Sequence, residues 1–407
     1  MLAKRFVNLF LLVISFSLAL HSRSDPLDIT AFSGKPSFDQ NGYFRGYTVE
    51  SDKGIRDLSV GILYKKIIGK DNVTWADTDG FPGQNTKDAI RDMPDGKIFP
   101  TESLVTYRIR NRENYFSYLG VSGLQAADRV GVFSFEAKTN VEVTNSAIVL
   151  ISVSANVEME YRTITVSVGE SVTINLSKGG DLHDLRWRHN YNEFENLMGF
   201  NSAVIENIRR KDDGVYECYT GDSPDGDHGI MRLIVRACPS PKWNPPNCEM
   251  DCPVCYNGGV CDDKTGVCIC PAGFKGTFCK QGCGNNNWGR DCNVVCSSSG
   301  NCQGALLCPP DPVGCACQNG FGGNDCNTAC VAGYYGADCR QEFHCDDSVC
   351  DKHTGCSTGS DCLDGYAGDN CQGSVQNRAI SMILPRRLPF VVCFIFTFQI
   401  ITNLPYL

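Results

Sequence analysis

The sequence predicts a mainly β protein: β-sandwiches in the N-terminal part, followed by a rod of small disulfide-rich modules. Three observations carry this expectation. Short runs such as TITVSVGESVTINLS and MRLIVRA alternate polar and apolar residues and are punctuated by Gly, Asp and Asn, the pattern of half-buried strands. The 25 cysteines are crowded, all but Cys218 and Cys393 lying between Cys238 and Cys371. That crowded stretch also repeats itself about every 45 residues, the mark of small units set in series. A chain of 407 residues exceeds what one core usually organises, so several domains are expected.

Residues 1–24 read as a secretory signal peptide. Lys4 and Arg5 precede an apolar run from Phe6 to Leu20, with small and polar residues around Ser22 and Ser24. An N-terminal membrane anchor is the alternative, and the run is short for it. Entry into an oxidising compartment makes the cysteines disulfide partners rather than zinc thiolates, including the Cys252, Cys255 pair with its Cys-x-x-Cys spacing. The net charge of −9 supplies no basic field for a phosphate backbone, so nucleic acid is not an expected partner. Asn72 (Asn-Val-Thr) and Asn175 (Asn-Leu-Ser) are candidate glycosylation sites.

Within residues 158–237, DDGVYEC places Asp212, Gly214, Tyr216 and Cys218 in the D-x-G-x-Y-x-C order of strand F and the tyrosine corner of an immunoglobulin domain. Trp187 falls at the strand C core position. Leu176 stands where strand B would supply the partner cysteine, so Leu176, Trp187 and Cys218 should close the core by packing, with Asn175 outward. A β-sandwich of another lineage is the competing reading. Residues 25–157 contain no cysteine, yet ADRVGVFSF echoes the same motif, with Phe133 and Phe135 at the tyrosine and cysteine positions. A degenerate immunoglobulin-like domain follows, with Trp75 as its candidate strand C tryptophan.

The crowded block divides into modules at 238–281, 282–328 and 329–371. Their endings, CICPAGFKGTFC, CACQNGFGGNDC and CLDGYAGDNC, fit C-x-x-G-aromatic-x-G-x-x-C, and so resemble epidermal-growth-factor modules. Such units are too small for a core and depend on bridges. With the growth-factor pairing as template, the resemblance implies Cys238–Cys248, Cys252–Cys261, Cys255–Cys268 and Cys270–Cys279 in the first module. In the second it implies Cys283–Cys292, Cys296–Cys308, Cys302–Cys315 and Cys317–Cys326. The third holds seven cysteines, giving Cys330–Cys339, Cys345–Cys356 and Cys362–Cys371, with Cys350 left over. No acidic cluster leads into any module, so calcium is not expected; nor is any other metal or cofactor.

Two immunoglobulin-like domains followed by three such modules resemble the ectodomain of the Tie family of angiopoietin-receptor tyrosine kinases. The residues that carry the resemblance are RLIVRACPSPKWNPPNC, CYNGGVCDDKTGVCICPAGFKGTFC and, most specifically, CPPDPVGCAC (Cys308 to Cys317). It is strong from about Tyr161 to Cys371 and faint before. Members of that family continue into fibronectin type III domains, a membrane span and a kinase. This sequence contains no glycine-rich phosphate loop, catalytic His-Arg-Asp or Asp-Phe-Gly, so kinase activity is not expected of it.

Residues 372–387 read as a linker and 388–407 as a C-terminal hydrophobic segment. Pro389, Gln399, Asn403 and Pro405 make the latter a poor span, and Arg386 and Arg387 sit on the wrong side for a type I orientation. A glycolipid-anchor signal with Ser374 or Asn377 as attachment site, a tail anchor and the tail of a truncated isoform are the alternatives. The chain is accordingly placed in the secretory pathway, secreted or at the cell surface.

The function expected is a receptor-like or decoy ectodomain that binds an extracellular protein, an angiopoietin-like ligand by resemblance, with a co-receptor and a membrane anchor as further candidate partners. The resemblance places the ligand surface on the second sandwich. Tyr191 and Phe194, after strand C in RHNYNEFENL, are the candidate contact residues, against the alternative that they pack on the sandwich edge. A matrix or adhesion spacer is the second reading. An enzyme is not expected: His183, His189, His228, His344 and His353 lack metal spacing, and no G-x-S-x-G elbow occurs.

Overall fold

A computed structural model describes residues 155–374, apart from 180–182, 191, 223, 225–227, 290–291, 293, 297–299, 346–349, 358 and 369. Before 155 it describes residue 130 and strand segments between 29 and 152. The signal-peptide segment, Asn72, Tyr191, most of the linker and the C-terminal hydrophobic segment lie outside the described residues. No described helix is long and apolar enough to cross a membrane.

The second sandwich is built from β11 (Glu158–Met159), β12 (Thr163–Ser167), β13 (Val172–Lys178), β14 (Arg186–His189), β15 (Asn192–Glu193), β16 (Ser202–Ile205), β17 (Gly214–Tyr219) and β18 (Gly229–Arg236). One sheet runs β11-β13-β16 and the other β12-β18-β17-β14-β15. The side-chain period of two turns Ile174 into the core and Asn175 out to solvent. Trp187 lies directly opposite Cys218 across the β14–β17 ladder, and both are fully buried. The Trp187 indole donates to the Phe200 carbonyl at 2.8 Å, so its polar atom is satisfied inside the core. The Tyr216 hydroxyl donates to the Asp212 carbonyl at 2.9 Å, which is the tyrosine corner. Leu176 packs on the core from a half-buried position, while Ile174, two residues earlier, takes the fully buried place on its strand.

The first sandwich repeats this order. Its strands are β1 (Ile29–Ser33), β2 (Ser37–Phe38), β3 (Gly42–Val49), β4 (Asp57–Tyr64), β5 (Val73–Trp75), β6 (Ile98–Pro100), β7 (Val105–Ile109), β8 (Arg112–Val121), β9 (Gly131–Lys138) and β10 (Val143–Ser152). The sheet β2-β10-β9-β4-β6 matches β12-β18-β17-β14-β15, down to the parallel pairing of β2 with β10 and of β12 with β18. In the same scheme β1-β3-β8 matches β11-β13-β16. Trp75 is therefore not the strand C tryptophan: it pairs through β5 with β8, in the sheet that lacks strands C and F. By register, Val60 on β4 faces Phe135 as Trp187 faces Cys218.

The modules fold back rather than extending as a rod. Leu306–Cys308 of the second module pairs antiparallel with β1 and so lengthens a sheet of the first sandwich. Tyr335 of the third module donates to Asn257 of the first at 2.9 Å, and Gln372 accepts from the Asn257 backbone at 2.8 Å. Arg236, at the end of β18, reaches Asp263 at 2.8 Å and the Lys242 carbonyl at 2.9 Å, tying the second sandwich to the first module.

Bridges join Cys238–Cys248, Cys252–Cys261, Cys255–Cys268, Cys270–Cys279, Cys283–Cys292, Cys317–Cys326, Cys330–Cys339 and Cys362–Cys371. Two expected pairs are replaced. Cys296 is bonded to Cys302 and Cys308 to Cys315, instead of Cys296–Cys308 and Cys302–Cys315. The reason is a hairpin: Leu307 pairs with Ala316 and Leu306 with Cys317, so the next rung brings Cys308 and Cys315 face to face, with Cα atoms 3.9 Å apart. Cys345 is bridged to Cys356, and the Cys350 sulfur lies within 4.8 Å of both.

Candidate ligand-binding surface

The second module covers one flank of the second sandwich through polar contacts. Arg232 on β18 makes a bidentate pair with Asp311, both N–O distances 2.7 Å, in the Pro-Asp-Pro insert of CPPDPVGCAC. Burial would lower the Arg232 guanidinium, but the Asp311 charge outweighs it and holds the group above its ordinary value. The Thr163 hydroxyl accepts from the Cys315 backbone at 3.1 Å, and the Thr165 hydroxyl donates to the Pro312 carbonyl. Gly314 sits at φ +75°, and a Cβ there would lie 2.3 Å from the Thr163 methyl, so both its backbone and its neighbour require glycine.

Arg162 lies buried where the two sandwiches meet the second module. It donates to the Val149 carbonyl at 3.2 Å and to the Asn324 carbonyl. Burial lowers its guanidinium to about 10, with Asp338 opposing the shift. Asp338 accepts from the Cys317 backbone at 2.6 Å and pairs with Arg340 at 3.2 Å. Arg340 in turn donates to the Thr163 carbonyl at 2.9 Å and lies 3.9 Å over the Tyr161 ring. Burial nonetheless raises the Asp338 carboxyl above the usual range, against the pull of Arg340, the Cys317 amide and Arg162.

These contacts lie at the β12–β18 end of the sheet, and β14 and β15 form its opposite end. There Phe194 is half-buried. Its ring stacks on Tyr216 (centroids 6.2 Å apart) and on His189 (6.3 Å), and its amide donates to the Trp187 carbonyl at 2.8 Å. Phe194 is thus part of the sandwich edge, and of the two contact candidates it is the one the structure describes.

Three residues that sequence reasoning did not single out follow it along the chain. Met198, Phe200 and Val204 are 53%, 58% and 55% exposed. Their backbone is held: Gly199 donates to the Leu185 carbonyl at 2.7 Å, and the Phe200 carbonyl receives the Trp187 indole. No periodicity in ENLMGFNSAVI marks them; only the strand order shows which apolar residues are left outside. Asn175, exposed and donating to Glu160 at 3.0 Å, sits diagonally from Val204 on the outer face of the β13–β16 pair.

A buried charge cluster lies on β14, β17 and the residue before β18. Burial would raise the Glu217 carboxyl, but hydrogen bonds from His228 (3.0 Å) and Arg188 outweigh it and hold it below the usual range. Tyr219 donates to Glu193 at 2.6 Å, and burial together with that carboxylate pushes its hydroxyl up to about 12. Cys218, with no disulfide, has its thiol pushed up to about 12 by burial. Among the described residues, Cys345, Cys350 and Cys356 form a group whose ligand atoms all lie within 4.8 Å of one another, and the Cys345–Cys356 bridge takes up two of those sulfurs.

No protein-family profile matches the chain. It is 35% identical over 162 residues to the angiopoietin-1 receptor of Danio rerio, covering 38% of this chain and 14% of that protein. It is also 36% identical over 91 residues to stabilin-2 of Mus musculus, covering 20% of this chain and 3% of that protein. Among solved structures, murine CEACAM1b is similar at 13% identity and a TM-score of 0.18, covering 51% of this chain and 100% of that one. An eight-domain immunoglobulin fragment of Down syndrome cell adhesion molecule is similar at 14% identity and a TM-score of 0.21, covering 51% and 24%. The chain thus carries an immunoglobulin-like and growth-factor-like region homologous to part of a Tie receptor, an ectodomain region and not a catalytic one, and it spans about one seventh of that receptor's length.

Proposed function

We propose that the protein is an extracellular receptor-like or decoy ectodomain that binds a protein ligand through the outer edge of its second sandwich. The observation that carries this is the trio Met198, Phe200 and Val204, apolar and more than half exposed, the first two on backbone pinned to Leu185 and Trp187 and Val204 on β16 opposite Thr173. Apolar anchors on a held backbone lose little freedom when covered, so more of their burial appears as affinity. Similarity to an angiopoietin-1 receptor supports an angiopoietin-like protein as that ligand, with a co-receptor and attachment through Leu388–Leu407 as parts of the same proposal. The folding back of the modules favours binding over a matrix or adhesion spacer, which needs them extended.

The test is titration of soluble angiopoietin-1 on cells displaying the full chain. Saturable binding is expected, weakened about tenfold or more in the double variant Met198→Asp, Phe200→Asp. The disulfide map of the variant should match the parent, which separates a lost surface from a lost fold. Absence of binding by the parent chain, or unchanged affinity in the variant, would overturn the reading.

A further inference from the structure

We propose that β16 is an open sheet edge on which a second copy of this chain adds its own β16, antiparallel, so that two copies share one continuous sheet. The inference starts from the repeat in the fold. In the first sandwich β8 pairs with β3 on one side, and it also pairs with β5 along residues 119–121 and with β7 along residues 112–116. β16 is the matching strand of the second sandwich, and among the described residues it pairs with β13 alone. The chain passes from β15 to β16 through a short 3-10 helix, Glu195–Leu197, and among the described residues no strand stands in the place of β7.

Such an edge has a definite chemistry. In an antiparallel pair every second residue turns its N–H and C=O away from the partner strand, so two of the four residues Ser202–Ile205 present a donor and an acceptor outward. Another strand is what satisfies that row. The three other sheet ends of the second sandwich are met or guarded. Thr165 on β12 donates to the Pro312 carbonyl, and Glu158 on β11 accepts from the Asn324 side chain. β15 is only two residues, Asn192 and Glu193, both polar and exposed. β16 has no such device: residues 198–205, MGFNSAVI, contain no charge and no proline.

A second copy fits this edge without further matching. Two antiparallel strands related by a twofold axis present donors to acceptors reciprocally, so the edge is complementary to itself. The net charge of −9 sets copies against one another, but this uncharged segment brings no like charges face to face. Apolar surface is present to be covered: Val204 on the strand is 55% exposed and Phe200, two residues before it, is 58% exposed, while Ala203 is fully buried in its own core. Antiparallel addition between separate units already occurs in this molecule, where Leu306–Cys308 joins β1. Four residues a side make a contact smaller than the ~1,200 Å² of stable soluble complexes, so the dimer is weak in dilute solution and fills where copies are crowded. Phe200 and Val204 also belong to the proposed ligand surface, so dimer and ligand exclude each other. The dimer itself rests on the strand order and not on the ligand reading.

The experiment uses the full chain with no ligand present, followed across the micromolar range by sedimentation and by amide hydrogen exchange. The mass is expected to rise from one chain toward two, with exchange slowing at residues 202–205 as concentration increases and unchanged in β14 and β17. A twofold contact would bring two introduced lysines together, so Val204→Lys should weaken association about tenfold or more. Asn192→Lys places the same charge on β15 and should leave the mass unchanged. A chain that stays monomeric throughout, or association of the Val204→Lys variant equal to the parent's, would overturn the proposal. So would equal weakening by both lysines, which reflects charge alone, or slowed exchange elsewhere with residues 202–205 unaffected.

Discussion

The second sandwich and the modules hold their shapes by opposite means, and cysteine shows the difference most plainly. In the sandwich, Cys218 has no bridge and lies against Trp187, Tyr216 and Met231 as a small apolar side chain. In the modules one buried cluster is all cysteine and a second sets Cys268 and Cys279 with the rings of Phe274 and Tyr335, while a third gathers Trp288, Ala272, Ala305 and Leu307 around Cys302. A unit of this size cannot bury enough apolar surface to fold without cross-links, whereas a sandwich of about 80 residues can. The comparison therefore predicts that damage to packing and damage to bridges fall on different parts of the chain.

The largest effect is expected from Trp187→Ala, which removes the central ring of the second sandwich and leaves its cavity. A loss of about 3–5 kcal/mol in that unit follows, read as a shift of its urea transition. The module disulfide map should stay intact; scrambling of module bridges would break the separation. Next is Cys326→Ser, which opens the Cys317–Cys326 bridge and should cost about 2–4 kcal/mol. Amide exchange should quicken across Leu306–Cys317 and in β1, its paired strand, while β14 and β17 keep their protection.

Asp311→Asn tests the contact between the two kinds of unit. It leaves the Arg232 guanidinium, 11% exposed, without its countercharge, at a cost of about 1–3 kcal/mol because Asp311 itself is 30% exposed. The expected reading is a larger radius of gyration by small-angle scattering with an unchanged sandwich transition. An unchanged radius would mean that the β1 pairing of the second module and the Arg340–Thr163 contact of the third hold the modules in place unaided.

What could be read from the sequence divides along the same line. The tyrosine corner at Tyr216 and the Trp187 core position are local spacings, and the fold places them as the spacing implies. The pairing of Cys296, Cys302, Cys308 and Cys315 was not legible, because Cys308 and Cys315 are brought together by a hairpin whose register no spacing states. The folding back of the modules was not legible either. It depends on Arg232 meeting Asp311, residues 79 positions apart that are each unremarkable alone. The exposed trio failed for a third reason: Met198, Phe200 and Val204 have the composition of core residues, and only the strand order excludes them from it.

The smallest expected effect sharpens the comparison by sign. Glu217 in the sandwich is held below the usual carboxylate range, so the unfolded chain binds its proton more tightly than the folded one. Its contribution is present above the unfolded value of about 4.3 and is lost as pH falls through the lower folded value. Asp338, where the modules meet the sandwiches, is raised by burial, so there the folded state binds the proton more tightly. Its contribution is full below the unfolded value of about 3.9 and is lost as pH rises through the higher folded value. Acidification should then weaken the sandwich while relieving the junction. Urea midpoints followed between about pH 6 and pH 3 should show a fall in the sandwich transition that Glu217→Gln flattens, and a gain in module docking that Asp338→Asn removes. Equal slopes in parent and Glu217→Gln would mean that Arg188 and His228 do not stabilise the carboxylate through folding.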